Sequence, residues 1–157
     1  MHLYPDVLSL FEPAGFHHPA KFIYEFILKP AFGAREDLAR SPRILSSLEA
    51  GQSEDGYELE GLIHWPGGLL VRLRLPNSRS LERVVARLKE RTAPENGFGW
   101  EEEPESIRLI HPEMAENPAN AFTHQMDRIR QTLDPNPFPS VGLFYYHRAL
   151  SKVVSAA

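Results

Sequence analysis

Apolar and polar residues alternate along YELEGLIHWPGGLLVRLRL, residues 57–75, and the alternation breaks once, at Pro66-Gly67-Gly68. Period-two spacing marks a strand with one buried face, so the segment predicts an antiparallel hairpin with strands over 57–65 and 69–75. A three-residue loop places Trp65 opposite Leu69, Ile63 opposite Val71, Gly61 opposite Leu73 and Leu59 opposite Leu75. One face is then wholly apolar. The other carries Glu58, Glu60, Leu62, His64, Leu70, Arg72 and Arg74, with Glu60 across from Arg74. A loop one residue shorter or longer sets apolar side chains against arginines, which favours the three-residue form. Pro66 has its φ preset for the first loop position, and Gly68 suits a left-handed closing residue.

The same reading extends along the chain. KFIYEFILKP predicts a strand with Phe22, Tyr24, Phe26 and Leu28 on one side and Ile23, Glu25, Ile27 and Lys29 on the other, ended by Pro30. A helix with Phe22, Ile23, Phe26 and Ile27 on one stripe is the alternative. Residues 34–50 turn helical, with Ser41 as N-cap, Pro42 in the first turn, Ile44, Leu45 and Leu48 inward, and Gly51 as terminator. A second helix holds Leu81, Val84, Val85 and Leu88, capped by Asn77 or Ser78 with Pro94 beyond its end, and turns Arg83, Arg87, Lys89 and Arg91 outward. Then GFGWEEEPESIRLIHP reads as extended, with a turn at Glu103-Pro104 and a fourth strand around Ile107 and Leu109.

Strand, helix, strand, strand, helix, strand is the split βαββαβ order of the ferredoxin-like class. The expected fold is therefore α+β: an antiparallel four-stranded sheet with two helices on one face, plus a C-terminal helical appendage. In the appendage Asn117 caps a helix begun by Pro118, with Phe122, Met126, Ile129 and Leu133 on one stripe. VGLFYYHRALSKVV has strand composition in its first half, but Ser140 as a cap and Ala149, Leu150, Val153 and Val154 favour a final helix. The expected divisions are an N-terminal arm over 1–19, an α+β core over 20–112, and a helical extension over 113–157 packed on the core.

Composition narrows the classes. At 157 residues, with 42% hydrophobic and 24% charged residues, the chain suits one folded domain with an added element. A net charge of −4 argues against general nucleic-acid binding, which needs a basic footprint. With no cysteine, disulfides, thiolate nucleophiles and cysteine-ligated zinc are excluded. The start of the chain lacks a cationic signal region, and no apolar run is long enough to span a bilayer, so a cytoplasmic protein without a membrane partner is expected.

Chemistry points to the polar face of the hairpin. Glu58, Glu60, His64, Arg72 and Arg74 together form a candidate binding surface for an anionic small molecule or an acidic partner. Cross-strand pairing of Glu60 with Arg74 accounts for part of the pattern without a ligand. The histidines make no metal set: His17-His18 point to opposite sides if extended, and His124 with Asp127 lacks a third ligand. Glu101-Glu102-Glu103 lacks a calcium loop, GFGW is not a phosphate loop, and no GxSxG elbow is present. The aromatics of the hairpin, Tyr57 and Trp65, fall on the buried side, which disfavours base stacking. No cofactor or metal is implied. The expected function is a small binding, interaction or regulatory module with a protein partner, such as a homodimer. The alternative is a metal-independent enzyme with His64 as acid or base, Glu60 beside it, and an arginine as anion clamp.

Overall fold

A computed structural model of the protein describes residues 22–30, 38–96, 100–102, 107–132 and 142–150. The expected arm, His17-His18, the Glu103-Pro104 turn, Leu133 and Ser140 lie outside the described residues. The elements are β1 (Phe22–Pro30), α1 (Ser41–Ala50), α2 (Gln52–Asp55), β2 (Glu58–Trp65), β3 (Gly68–Leu75), α3 (Leu81–Asn96), β4 (Trp100–Glu102), β5 (Arg108–Ile110), α4 (Pro112–Glu116), α5 (Pro118–Thr132) and β6 (Phe144–His147).

The fold is α+β, built on an antiparallel sheet in the order β4-β1-β3-β2-β6. The sheet is larger than the four strands expected. Its first edge is made in two pieces, since β4 pairs with the end of β1 and β5 with its beginning. On the far edge, the segment read as a final helix instead supplies β6, which pairs with β2. Aromatic composition in LFYYH therefore gives a strand, and the helical spacing takes effect only after it, residues 148–150 being helical.

Helices α1 and α3 cover one sheet face. Phe22, Tyr24, Phe26 and Leu28 of β1 meet Leu69, Val71, Leu73 and Leu75 of β3 there, over Ile44, Leu48, Leu81, Val84, Val85 and Leu88. The opposite face is also covered: Ile27, Ile63, Trp65 and Leu70 pack with Ile129, Phe122 and Met126 of α5. Burial on both sides removes the premise of a single apolar face, and with it the expected hairpin register.

The observed turn has two residues, Pro66 and Gly67, so Trp65 pairs with Gly68, Ile63 with Leu70, Leu62 with Val71 and Gly61 with Arg72. A bulge between Leu59 and Gly61 then inserts Glu60, and below it Leu59 pairs with Leu73 and Glu58 with Arg74. Leu59 and Val71 do share the first core, as expected, but Ile63 and Trp65 point the other way. Gly61 makes the arrangement sterically acceptable, because Arg72 faces a residue without a side chain. Gly68 lies under tighter constraint: a Cβ there would sit 2.7 Å from the carbonyl oxygen of Leu28.

Several helix ends differ from expectation. The backbone cap of α1 is Arg40, and the Ser41 hydroxyl instead shares a hydrogen bond with His64 Nδ1 (2.6 Å). Gly51 is not left-handed (φ −81°); it is small because a Cβ would collide with Arg91 Nε and the Tyr57 hydroxyl. The left-handed residue is Gly56 (φ 77°), which closes α2. Helix α3 runs through Pro94 to Asn96 rather than stopping before it. Asn77 caps the turn before α3, and Asn117 caps the start of α5, each through its side-chain oxygen.

Candidate functional site

The shifted register sorts the five expected site residues into three places. His64 leaves the group entirely. It shares a row with Leu28 and Leu69, is 2% exposed, and contacts Ser41 and the edge of Trp100. Burial beneath α1 removes it from any solvent-borne substrate, so the acid–base enzyme reading loses its central group.

Arg72 lies in a polar row that crosses the second face. Directly paired residues point to the same side of a sheet, so Arg108, Glu25, Arg72, Gly61 and His147 form one line from β5 to β6. Glu25 and Arg72 are fully buried and Arg128 of α5 nearly so. Glu25 Oε2 accepts from Arg72 Nε (2.9 Å) and Nη2, while Arg128 Nη1 donates to Glu25 Oε1 (3.0 Å) and to the Glu25 carbonyl (2.8 Å). Desolvation of such ions costs several kcal/mol each, so the shared carboxylate is what makes two interior guanidinium groups tolerable. Burial pulls Arg128 below its ordinary pKa, with Glu25 opposing the shift. Arg72 Nη2 also meets His124 Nδ1 at 3.2 Å. An arginine only donates, so Nδ1 is an acceptor and the proton of His124 sits on Nε2. Burial first, then the arginines, lower the pKa of His124.

Glu58, Glu60 and Arg74 come together with residues that the sequence did not single out. They line a groove of about 350 Å³ with Ala115, Glu116, His147, Arg148 and Ala149. The bulge aims Glu60 at Arg74 Nε (2.7 Å) and Arg148 Nη1 (3.2 Å), and Arg148 Nη1 also donates to Glu58. That hydrogen bond from Arg148 to Glu58 is the main reason the guanidinium pKa is raised. His147 closes the floor. The Ala149 N–H donates to its Nδ1 (3.1 Å), so Nε2 carries the proton and donates to the Ala115 carbonyl (2.8 Å). With both ring nitrogens engaged, His147 is a strut tying β6 to α4.

Other candidates resolve into structural roles. On α3, Arg91 pairs with Asp55 (2.6 Å) and Glu54 (2.7 Å), and Arg87 with Asp55 and Glu90, so part of the basic stripe is neutralised by acidic partners. Asp127 pairs with Arg130 rather than with His124. Among the described residues, no three His, Asp or Glu side chains are grouped to hold a metal ion, and no helix is long and apolar enough to cross a membrane.

No family model and no curated protein matches the chain. A solved structure described as a REP-associated tyrosine transposase bound to a REP hairpin aligns with 72% of this chain and 67% of that one, at 13% identity and a TM-score of 0.45. The exclusion of nucleic-acid binding drawn from net charge is corrected here. A total charge of −4 is a sum that leaves the local potential open, so net charge by itself does not exclude such binding.

Proposed function

We propose that the protein is a small binding module whose ligand-contacting surface is the groove between the open end of the hairpin, α4 and the end of β6. The observation that carries this reading is the convergence of charged side chains from three distant segments on one concavity of about 350 Å³. That volume falls within the roughly 300–1,000 Å³ of ordinary ligand sites.

The chemistry suits a short segment of mixed charge. Arg74 and Arg148 spend only part of their donor capacity on Glu58 and Glu60, leaving guanidinium edges for a carboxylate. Exposed Glu116 and half-exposed Glu58 offer acceptors to a cationic group. Ligand binding here exchanges internal ion pairs for external ones, which favours selectivity over raw affinity.

The test is an NMR titration of the whole protein with a short peptide of alternating Asp and Arg, an uncharged Gly-Ser peptide and a DNA hairpin. The mixed-charge peptide should shift the amides of Gly61, His147 and Ala149, and Arg74→Gln should weaken it by about tenfold, the loss of one charge-assisted hydrogen bond. Shifts at these amides with the DNA hairpin alone would assign the groove to nucleic acid, and no shift with any probe would remove it as a site.

A further inference from the structure

Only the neutral ring of His147 satisfies its surroundings. Its two hydrogen-bond partners are the Ala115 carbonyl, which can only accept, and the Ala149 N–H, which can only donate. A second proton, on Nδ1, would face that N–H at 3.1 Å, donor against donor. The ring is 2% exposed, so water cannot serve the new N–H where the ring stands. The bond at risk spans the junction between β6 and the helical residues 148–150, and so fixes the turn between them. Arg148 lies inside that turn, and its guanidinium reaches across the groove to Glu58 and Glu60. Among the described residues, charged groups approach His147 from several elements: Glu58 and Glu60 on β2, Arg72 and Arg74 on β3, Glu116 on α4 and Arg148 next in the chain. Arg128 and His124 of α5 join the same row through Glu25 and Arg72, and the ring of Tyr145 lies 6.4 Å away.

We propose that protonation of His147 releases this turn and withdraws Arg148 from Glu58 and Glu60, so that mild acid dismantles the rim of the groove. Two effects act in the same direction. The Nδ1–H displaces the Ala149 N–H, which removes the bond that sets where Arg148 projects. An imidazolium next to Arg148 adds a like charge and offers Glu58 and Glu60 a competing cation. Histidine is the side chain whose ordinary titration falls in this range, which is why the device sits on His147. Its use as regulation rests on the groove being the ligand surface, whereas the switch itself rests on the two hydrogen bonds of the ring.

The whole protein, without ligand, is carried from about pH 8 to about pH 5 while NMR follows the His147 ring nitrogens, the Ala149 amide and the Arg148 Nε–H. At the alkaline end the ring should be the Nε2–H tautomer. On acidification the Ala149 and Arg148 signals should move with the midpoint of the ring itself, while the core amides of Tyr24 and Leu73 stay in place. His147→Asn keeps a side-chain oxygen able to accept from Ala149 and has no proton to gain, so the shared transition should vanish there. In His124→Gln it should persist. The assignment is overturned by a ring that titrates while Ala149 and Arg148 stay still, or by a ring that remains neutral throughout. It is equally overturned if the transition survives in His147→Asn, is lost in His124→Gln, or carries the Tyr24 and Leu73 amides with it. Because no ligand is present, a groove that binds nothing leaves these signals as expected, and a failed switch leaves peptide binding near neutral pH untouched.

Discussion

Gln125 is fully buried on α5, and neither of its amide atoms has a hydrogen-bond partner among the described residues. Its Nε2 occupies the space beside Gly61, where an added Cβ would come within 3.3 Å of it. An amide stripped of water and left unpaired costs roughly 1–3 kcal/mol. Gln125→Met keeps the length and flexibility of the side chain and removes the polar atoms. It should raise stability by about 1 kcal/mol in urea unfolding, the low end of that range. A measured loss would show that the amide has a partner in solution. At this scale the sequence was partly legible. The strand pattern set Glu25 on the side with Ile23, Ile27 and Lys29 and assigned it no partner, although a carboxylate that becomes buried needs a cation. Which cation was not readable, because Arg128 is 103 positions away and shares its helix with Met126 and Ile129.

Helix α5 is held to the sheet by apolar contacts at Ile129 and by the polar contacts of Arg128 and His124, so its docking depends on charge state. The pKa of His124 is lowered on folding, chiefly by burial and further by Arg72, Arg128 and Arg108, with Glu25 acting the other way. Folding therefore favours the neutral ring. The contribution is complete above the unfolded value of 6.5 and is lost as pH falls below it through the folded value. His124→Gln removes this titration, so the native protein should lose more stability than the variant between neutral pH and pH 5 in paired denaturant curves. Parallel curves would dissociate His124 from the stability of α5. Among elements, those with strong local punctuation were readable: the strand ended by Pro30, the Asn117-Pro118 start of α5, and the turn at Pro66. The register was not, because the alternation of 57–75 fits two alignments once a bulge is allowed. The choice between them rests on α5, which is remote in sequence.

Across the whole molecule, two covered sheet faces and an uneven distribution of charge follow from one event, the insertion of Glu60 into β2. Above the bulge, Ile63 and Trp65 face α5; below it, Leu59 rejoins the core under α1 and α3. Arg72 is thereby drawn into the interior beside Glu25, Glu60 is turned toward Arg74 and Arg148, and His64 is sent to the far side. Thus three of the five residues expected to act together, Glu58, Glu60 and Arg74, lie together, at the rim of the groove. The α+β class was legible from the order of elements. The β6 edge was not, since helical spacing in 148–154 competed with strand composition in 143–147. Cross-strand backbone NOEs in the hairpin test the bulge most directly. Contacts between Gly61 and Arg72 together with Leu59 and Leu73 are expected; contacts between Ile63 and Val71 with Gly61 and Leu73 would mean an unbulged hairpin, an exposed arginine face, and neither the groove nor the buried row described above.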